Sequence, residues 1–216
     1  RVSGCFAGSR EAALQLSRAD WKALDAEPRR ERRTTLAFPR PRDDARLARA
    51  AGCLLGQVIG DSLGAQVEGK GAAEIARAFP GGVRNLGDGG VYRTMAGQPT
   101  DDSEMALALA RSILSNKNYV GEKVLEAYRE WLQTRPVDVG ATTERGLLGL
   151  YTTESESNGS LMRISPVGVW AAGDPVRAAQ AAREDSLLTH PNPPCVEACA
   201  GFAAAIAAGV AGASRD

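Results

Sequence analysis

The sequence is poor in the side chains that bind transition metals or build disulfide scaffolds. Its 216 residues include one histidine, His190, and four cysteines, Cys5, Cys53, Cys195 and Cys199. The cysteines form no CxxC pair, and His190 with Cys195 and Cys199 forms no standard zinc-binding set. These shortages argue against a zinc site and a disulfide-dense fold. They favour a reduced, cytoplasmic protein, although an exported one stays open.

The chain also has no excess of charge of one sign and no long apolar run. Lys plus Arg and Asp plus Glu each number 26, so nothing favours a strongly charged partner for the chain as a whole. No apolar run reaches the ~20 residues of a membrane span, and the N-terminus lacks the apolar core of a signal peptide. We therefore expect neither a membrane nor a nucleic acid as partner.

The balanced total hides a basic N-terminal segment. Residues 1–49 contain 12 Arg and Lys against 7 Asp and Glu, whereas residues 50–216 contain 14 against 19. Within residues 1–43, which several prolines interrupt, Ser9 to Leu24 could form one amphipathic helix. We predict a basic extension over residues 1–43 and a folded domain over residues 44–216. The extension is either a solvated tail or an arm that grips an acidic partner.

Strand signals are almost absent, and helical periodicity runs through most of the sequence after residue 44. Gly52, Gly56 and Gly60 recur at every fourth position of the first long helix. This spacing predicts a flat face that another helix can approach closely. The sequence predicts an all-α, compact multi-helix domain. We expect helices over residues 46–66, 72–79, 102–114, 121–133, 141–150, 165–172, 175–188 and 194–211.

The stretch TDDSE, residues 100–104, has two possible explanations. Thr100 or Asp101 suits an N-cap, and the helix dipole favours carboxylates in a first turn. However, Thr100, Asp101 and Asp102 together offer more oxygen atoms than one cap uses, and Mg²⁺ prefers oxygen ligands. Helix capping and a metal site both stay open from residue type alone.

Two further acidic residues, Asp61 and Glu68, occur in GDSLGAQVE near the end of the first long helix. Asp61 interrupts an apolar helix face, so it is either a buried cap or helix–helix hydrogen bond, or a catalytic group. Glu68 is either an ordinary surface residue or a catalytic carboxylate.

The stretch ESNGSLMRISPVG carries a turn at Asn158 and Gly159, followed by Ser160. Free N–H groups ahead of the next helix would suit a phosphate, and an ordinary turn and cap is the alternative. Arg163 either supports such an anion site or pairs with a carboxylate at the edge of the core. His190 lies at a later helix end, where a cationic imidazole is favoured. It is either a structural residue or a ligand contact.

The order of these motifs resembles that of the ADP-ribosylglycohydrolase family, which includes the dinitrogenase-reductase-activating glycohydrolase and the ARH-type hydrolases. The likeness covers roughly residues 44–211. It rests on Gly60 to Gly64 with Glu68, Thr100 to Ser103, Ser157 to Arg163 with Pro166 and Gly168, and Asp185 to His190.

The resemblance implies an all-α fold with a two-Mg²⁺ centre in a cleft. It also implies hydrolysis of the bond between ADP-ribose and a modified protein side chain, often arginine. Mg²⁺ would position the ribose hydroxyls and help to activate water. The resemblance assigns metal binding to Thr100, Asp101 and Asp102, acid or base catalysis to Asp101, Asp102 or Glu68, and ADP-ribose contacts to Asn158, Gly159, Ser160 and His190.

Two features depart from the family pattern. The family has a Gly-Asp-x-Asp-type motif beyond its alanine-rich helix, which supplies further metal ligands and does not occur in residues 1–216. We therefore expect the second set of metal ligands to be missing here. The basic extension over residues 1–43 resembles, by composition and position, the N-terminal extension with which some immunity proteins of this family block ADP-ribosylating toxins. The expected partners are an ADP-ribosylated protein and, through the extension, such a toxin.

Overall fold

The computed structural model describes residues 44–214, and these residues are helical, with no strand among them. The all-α prediction is confirmed. The predicted extension over residues 1–43, with its helix over Ser9 to Leu24, lies outside the described residues. The helices are α1 Asp44–Gly64, α2 Ala72–Ala78, α3 Asp101–Asn116, α4 Gly121–Gln133, α5 Ala141–Leu147, α6 Ser165–Trp170, α7 Pro175–Leu187 and α8 Pro193–Ala211.

Prolines and a capping aspartate set the ends of the last two long helices. Asp174 is the N-cap of α7, where its side chain accepts a hydrogen bond of 3.0 Å from the Arg177 N–H. Pro175 follows at the first helical position, where its missing N–H costs nothing. Helix α8 ends at Gly212, whose φ of 105° is a left-handed conformation that favours glycine.

Helix α8 lies at the centre of the packing, against α6 and α7. Gly168 of α6 permits this close approach, because a Cβ at that position would lie 2.6 Å from Ile206 Cβ and 2.8 Å from the Ala203 carbonyl oxygen. The small residues of α8 therefore act as a packing surface. The apolar residues buried to 1% exposure or less are Met105, Leu109, Val124, Tyr128, Leu147, Ile164, Val167, Ala178, Ala182, Cys199, Ala203 and Ala207.

By length and composition, α8 would also be apolar enough to cross a membrane. No such segment was predicted from the sequence. In this structure its Cys199, Ala203 and Ala207 are buried among the neighbouring helices, and 33% of the apolar stretch is buried in all.

The glycine face of α1 has no helix against it within residues 44–214. A Cβ added at Gly52, Gly56 or Gly60 would meet no heavy atom within 4 Å. Leu55 and Ile59 beside these glycines are 61% and 49% exposed. The close helix contact predicted for this face is therefore not made by any described part of the chain.

Candidate active site

The first turn of α3 is capped from another helix. Asp61 of α1 accepts hydrogen bonds from the Thr100 N–H at 3.0 Å, from the Thr100 hydroxyl at 2.7 Å and from the Ser103 N–H at 3.2 Å. Thr100 occupies the N-cap position, but its side chain accepts no hydrogen bond from the helix. Of the alternatives for Asp61, the cap that reaches across from another helix is the one observed, and Asp61 is half-buried there. Thr100 takes the N-cap position that the sequence allowed, but Asp61 and not the Thr100 side chain satisfies the N–H groups.

Because Asp61 provides the cap, the carboxylates of Asp101 and Asp102 are not needed to cap α3. Asp101 is buried, and its Oδ2 accepts a hydrogen bond of 3.2 Å from the Gly140 N–H, just ahead of α5. Asp102 is half-buried beside it. The pair thus lies where α1, α3 and the start of α5 meet.

A third carboxylate, Asp138, joins this pair from the loop before α5. Burial, followed by the charges of Asp138 and Asp102, raises the pKa of Asp101 to about 7. Burial and the nearby charge of Asp61 also raise the pKa of Asp102. Asp138 was not among the site residues predicted from the sequence. Its one local signal is a lone acidic residue in the apolar stretch PVDVG, which says nothing about its distance from Asp101.

The four aspartates have no cationic partner among the ion pairs that join described residues. Those pairs are Lys123–Glu126, Arg163–Asp185 and Arg183–Glu197. Like charges at short range disfavour one another's ionisation, which agrees with the raised pKa values. We call Asp61, Asp101, Asp102 and Asp138 the acidic cluster.

Glu68 lies near the acidic cluster through Tyr92. The Tyr92 hydroxyl donates a hydrogen bond of 3.1 Å to Glu68 Oε1. Burial, with Asp138 and Glu68 as further causes, raises the pKa of Tyr92. A short turn holds Tyr92 in place, because Gly89 and Thr94 exchange two backbone hydrogen bonds of 2.9 Å. Glu68 itself is exposed, so it is the carboxylate most open to a bound molecule.

Of the two alternatives for Arg163, pairing with a carboxylate is the one observed. Arg163 is fully buried, and its Nε donates to Asp185 Oδ1 at 2.8 Å. Its guanidinium lies 4.4 Å from the centre of the Tyr128 ring, and the Tyr128 hydroxyl donates to Asp185 Oδ2 at 2.9 Å. A further contact of 3.4 Å reaches the Gly159 carbonyl oxygen. Arg163 therefore supports the loop from inside the core.

His190 is also buried, and it is neutral at pH 7. Burial and the nearby Arg163 charge lower its pKa from 6.5 to about 4. Desolvation and the Arg163 charge outweigh the helix end, so the cationic imidazole is disfavoured here, and the ligand-contact role stays a prediction. Its Nδ1 lies 2.7 Å from the Thr189 hydroxyl, and its Nε2 lies 3.1 Å from the Ser157 hydroxyl.

The loop residues Asn158, Gly159 and Ser160 follow one another from the surface into the core. Asn158 is exposed, whereas Gly159 and Ser160 are buried. A Cβ at Gly159 would lie 2.5 Å from Thr143 Oγ1 and 2.8 Å from His190 Nε2, so only glycine fits without a shift. Ser160 accepts a hydrogen bond of 2.9 Å from Ser186.

Helix α5 connects this loop with the acidic cluster. Its N-cap, Gly140, donates to Asp101, and Thr143 in its first turn contacts the space beside Gly159. The hydroxyl of Thr143 is buried and has no hydrogen-bond partner in the described structure. The structure thus brings two motifs that lie more than fifty residues apart in the sequence to the same N-terminal turn of one short helix.

Comparison with known proteins agrees with this arrangement. The family model for ADP-ribosylglycohydrolase matches residues 42–216. This chain belongs to the ADP-ribosylglycohydrolase family. An ADP-ribosyl-[dinitrogen reductase] glycohydrolase of Rhodospirillum rubrum is 36% identical over 160 residues, which are 70% of this chain and 54% of that protein.

Two more similar proteins support the same family and fold. An ADP-ribosylarginine hydrolase of Pseudomonas putida (strain GB-1) is 27% identical over 187 residues, which are 79% of this chain and 49% of that protein. A solved chain of an ADP-ribosylglycohydrolase-related protein complex has 31% identity and a TM-score of 0.62, and the match covers 74% of this chain and 55% of that chain. This chain spans about half the length of the curated relatives it matches.

The described residues match a Mg²⁺ site in donor type but supply only part of one. Asp101 and Asp102 offer carboxylate oxygens, and Thr100 Oγ1 uses its hydrogen on Asp61, which leaves its lone pairs available. A cation would also relieve the repulsion within the acidic cluster. Within residues 44–214, however, no group of three or more His, Cys, Asp or Glu side chains is placed to hold a metal ion.

Proposed function

We propose that this protein hydrolyses the glycosidic bond between ADP-ribose and a modified protein side chain, and that this side chain is arginine. The observation that carries the proposal is that the acidic cluster and the loop of Asn158, Gly159 and Ser160 (the Gly159 loop) both contact the N-terminal turn of α5. Two relatives are named as an ADP-ribosyl-[dinitrogen reductase] glycohydrolase and an ADP-ribosylarginine hydrolase. Their names supply the substrate class.

In this proposal Thr100, Asp101 and Asp102 hold Mg²⁺ through oxygen atoms. When bound, the ion supplies positive charge that stabilises developing negative charge and orients the ribose hydroxyls. Asp61 contributes by fixing Thr100 and the first turn of α3. Ligands held by hydrogen bonds of this kind are better oriented than free side chains.

Hydrolysis breaks the bond between the anomeric carbon and the side-chain nitrogen. The hydroxyl of water goes to the carbon, and a proton goes to the nitrogen. We assign the proton-transfer role to Glu68, because it is exposed and its position is restrained by the Tyr92 hydroxyl. Asp138, whose charge acts on Asp101, is the second carboxylate that we propose for such a step.

The Gly159 loop and His190 would contact the ADP-ribose. Asn158 is exposed and available for such a contact. His190 is 1% exposed, and a Cβ at Gly159 would lie 2.8 Å from its Nε2, so the glycine lets the loop lie directly against the ring edge. The neutral imidazole adds no charge behind the loop. Arg163 holds the loop from behind through the Gly159 carbonyl oxygen.

The double variant Asp101→Ala with Asp102→Ala tests the metal assignment. We expect the rate of ADP-ribose release from an arginine-modified protein, measured with Mg²⁺, to fall on the order of 100-fold or more. The matched control is Glu122→Ala with Glu126→Ala, which removes two acidic side chains from the surface of α4. Full activity in the aspartate variant, with its helical content retained, would show that the assignment is wrong.

Glu68→Gln tests the proton-transfer role separately. The turnover number should fall about 100-fold or more, whereas the affinity for Mg²⁺ should stay within a few-fold of the wild type. A loss of metal affinity equal to the loss of turnover would instead make Glu68 part of the metal site.

A second proposal concerns residues 1–43, whose basic composition suits an acidic partner. In this proposal the extension binds an ADP-ribosylating toxin and the protein acts as an immunity factor in the cytoplasm, with or without hydrolysis. Deleting residues 1–43 should then weaken protection against the toxin more than the double aspartate change does. Unchanged toxin affinity after the deletion would remove this proposal.

A further inference from the structure

We propose that Gln57 is a positioning residue, which fixes the position of the first turn of α3, the proposed metal-binding turn, relative to the Gly159 loop. This role rests on the function proposed above. Gln57 lies in the middle of α1, four residues before Asp61, so both side chains point from the same face of the helix. The sequence motifs of the site do not include it.

The side-chain amide of Gln57 connects three segments of the chain. Its Nε2 donates to the Asp102 carbonyl oxygen at 3.2 Å and to the Met162 carbonyl oxygen at 2.9 Å. Its Oε1 accepts a hydrogen bond from the Ser165 hydroxyl. Both N–H donors and the acceptor of one side chain are thus used between α1, the start of α3 and the start of α6.

No backbone N–H donates to the Met162 carbonyl in the described structure. Met162 lies in the turn ahead of α6, and the residue four positions later is Pro166, which has no N–H to offer. Gln57 supplies a donor there, and Ser165, which is buried, keeps the amide in its orientation.

Asp102 and Met162 are the ends of this connection that matter for function. Asp102 belongs to the proposed metal site, and Met162 follows directly on the loop that carries Asn158, Gly159 and Ser160. Because Gln57 reaches the main chain at both points, it sets the separation between metal and ADP-ribose without touching either. An apolar side chain of the same length would keep the packing and lose this connection.

Gln57→Met tests the proposal, because methionine is similarly long and unbranched but donates no hydrogen bond. Calorimetric titrations with Mn²⁺ alone, with ADP-ribose alone and with ADP-ribose after Mn²⁺ give three affinities for the purified chain. We expect each affinity to fall about tenfold, as for other residues that orient metal ligands. The factor by which Mn²⁺ strengthens ADP-ribose binding should fall toward one.

The factor by which Mn²⁺ strengthens ADP-ribose binding, the coupling factor, separates positioning from a merely structural role. A loss of stability alone would leave the coupling factor of the folded protein unchanged. Cys53→Ala, one turn earlier on the same side of α1, is the matched control and should keep the wild-type factor. Should Gln57→Met fail to fold, Ser165→Ala loosens the same amide and should lower the factor by a smaller amount.

Wild-type affinities and coupling in a folded Gln57→Met protein would overturn the role of Gln57 and leave the proposed function standing. If Gln57→Met does not fold, wild-type affinities and coupling in Ser165→Ala would overturn the role of Gln57 instead. A wild-type protein that binds neither Mn²⁺ nor ADP-ribose would overturn the proposed function, and the positioning role with it.

Discussion

Two groups of charged residues in this protein are built in opposite ways. In the acidic cluster, four carboxylates approach one another without a cationic side chain among the ion pairs of the described residues. In the core, Arg163 and Asp185 form a fully buried ion pair, and Tyr128 satisfies the second carboxylate oxygen. We call these three residues the buried pair network.

The contrast separates residues that hold the fold together from residues kept for a ligand. A buried charge is tolerated when it is paired and hydrogen-bonded, as Asp185 is. Asp101 is also buried but faces other carboxylates, so its ionised form is disfavoured until a cation arrives. Changes to the buried pair network should therefore reduce stability, whereas changes to the acidic cluster should reduce function.

The largest predicted effect is on the buried pair network. Arg163→Ala should lower the free energy of unfolding by about 3–5 kcal/mol, because it leaves Asp185 buried without a cation. Chemical denaturation measures this. Arg183→Ala, which breaks an exposed ion pair with Glu197, is the control and should cost about 0–1 kcal/mol. Equal losses in the two variants would remove the distinction between a structural pair and a surface pair.

A smaller effect is predicted for His190 as pH falls. Its pKa is 6.5 when unfolded and about 4 when folded, so the unfolded chain binds the proton first. The stability that neutral His190 contributes is therefore present above pH 6.5 and is lost as pH falls toward 4, by up to about 3 kcal/mol. The free energy of unfolding, measured by denaturation at each pH from 7 to 4, should change less with pH for His190→Gln than for the wild type. Identical slopes would contradict the lowered pKa.

Gly159→Ala should cost about 1–3 kcal/mol, because the added Cβ would overlap the Thr143 hydroxyl and the His190 ring. ADP-ribose affinity should fall in the same variant. The control is Gly201→Ala on α8, where an added Cβ meets nothing within 4 Å. That change should stabilise the helix by up to about 1 kcal/mol. Thermal unfolding and calorimetry measure both, and a neutral Gly159→Ala would mean that the loop shifts freely.

The last predicted effect has the opposite sign. Asp101→Asn should raise the free energy of unfolding of the metal-free protein by up to about 4 kcal/mol at pH 8, because it removes a buried and repelled charge. The raised pKa means that wild-type stability from this residue falls as pH rises from 3.8 to about 7. The gain should therefore disappear near pH 4. A loss of stability at pH 8 would indicate that Asp101, like Asp185, is structurally required.

Local sequence signals were sufficient for the helices. Proline at the start of α7, an aspartate cap before it and glycine after α8 each act within a few residues, so their effects could be predicted without a partner. The order of the TDDS and SNGSLMR motifs likewise pointed to the family, which the family model confirmed. The individual roles of the site residues stay predictions.

Which residue caps α3 could not be predicted, because a local side chain at the helix start and the carboxylate of Asp61 on α1 are both able to accept hydrogen bonds from the first N–H groups. Which of the two does so depends on how α1 packs against α3. Asp138 and Gln57 were missed for the same reason: each acts across a distance that only helix packing closes.

The sequence by itself determined that the domain is helical, where most helices begin and end, and which family it belongs to, because propensity, capping and motif order are properties of neighbouring residues. The tertiary structure decided which carboxylates repel one another and which are neutralised. It made Arg163 and His190 parts of the interior and left Glu68 exposed. Charge–charge distance and desolvation control these outcomes, and both arise only when segments far apart in the chain come into contact.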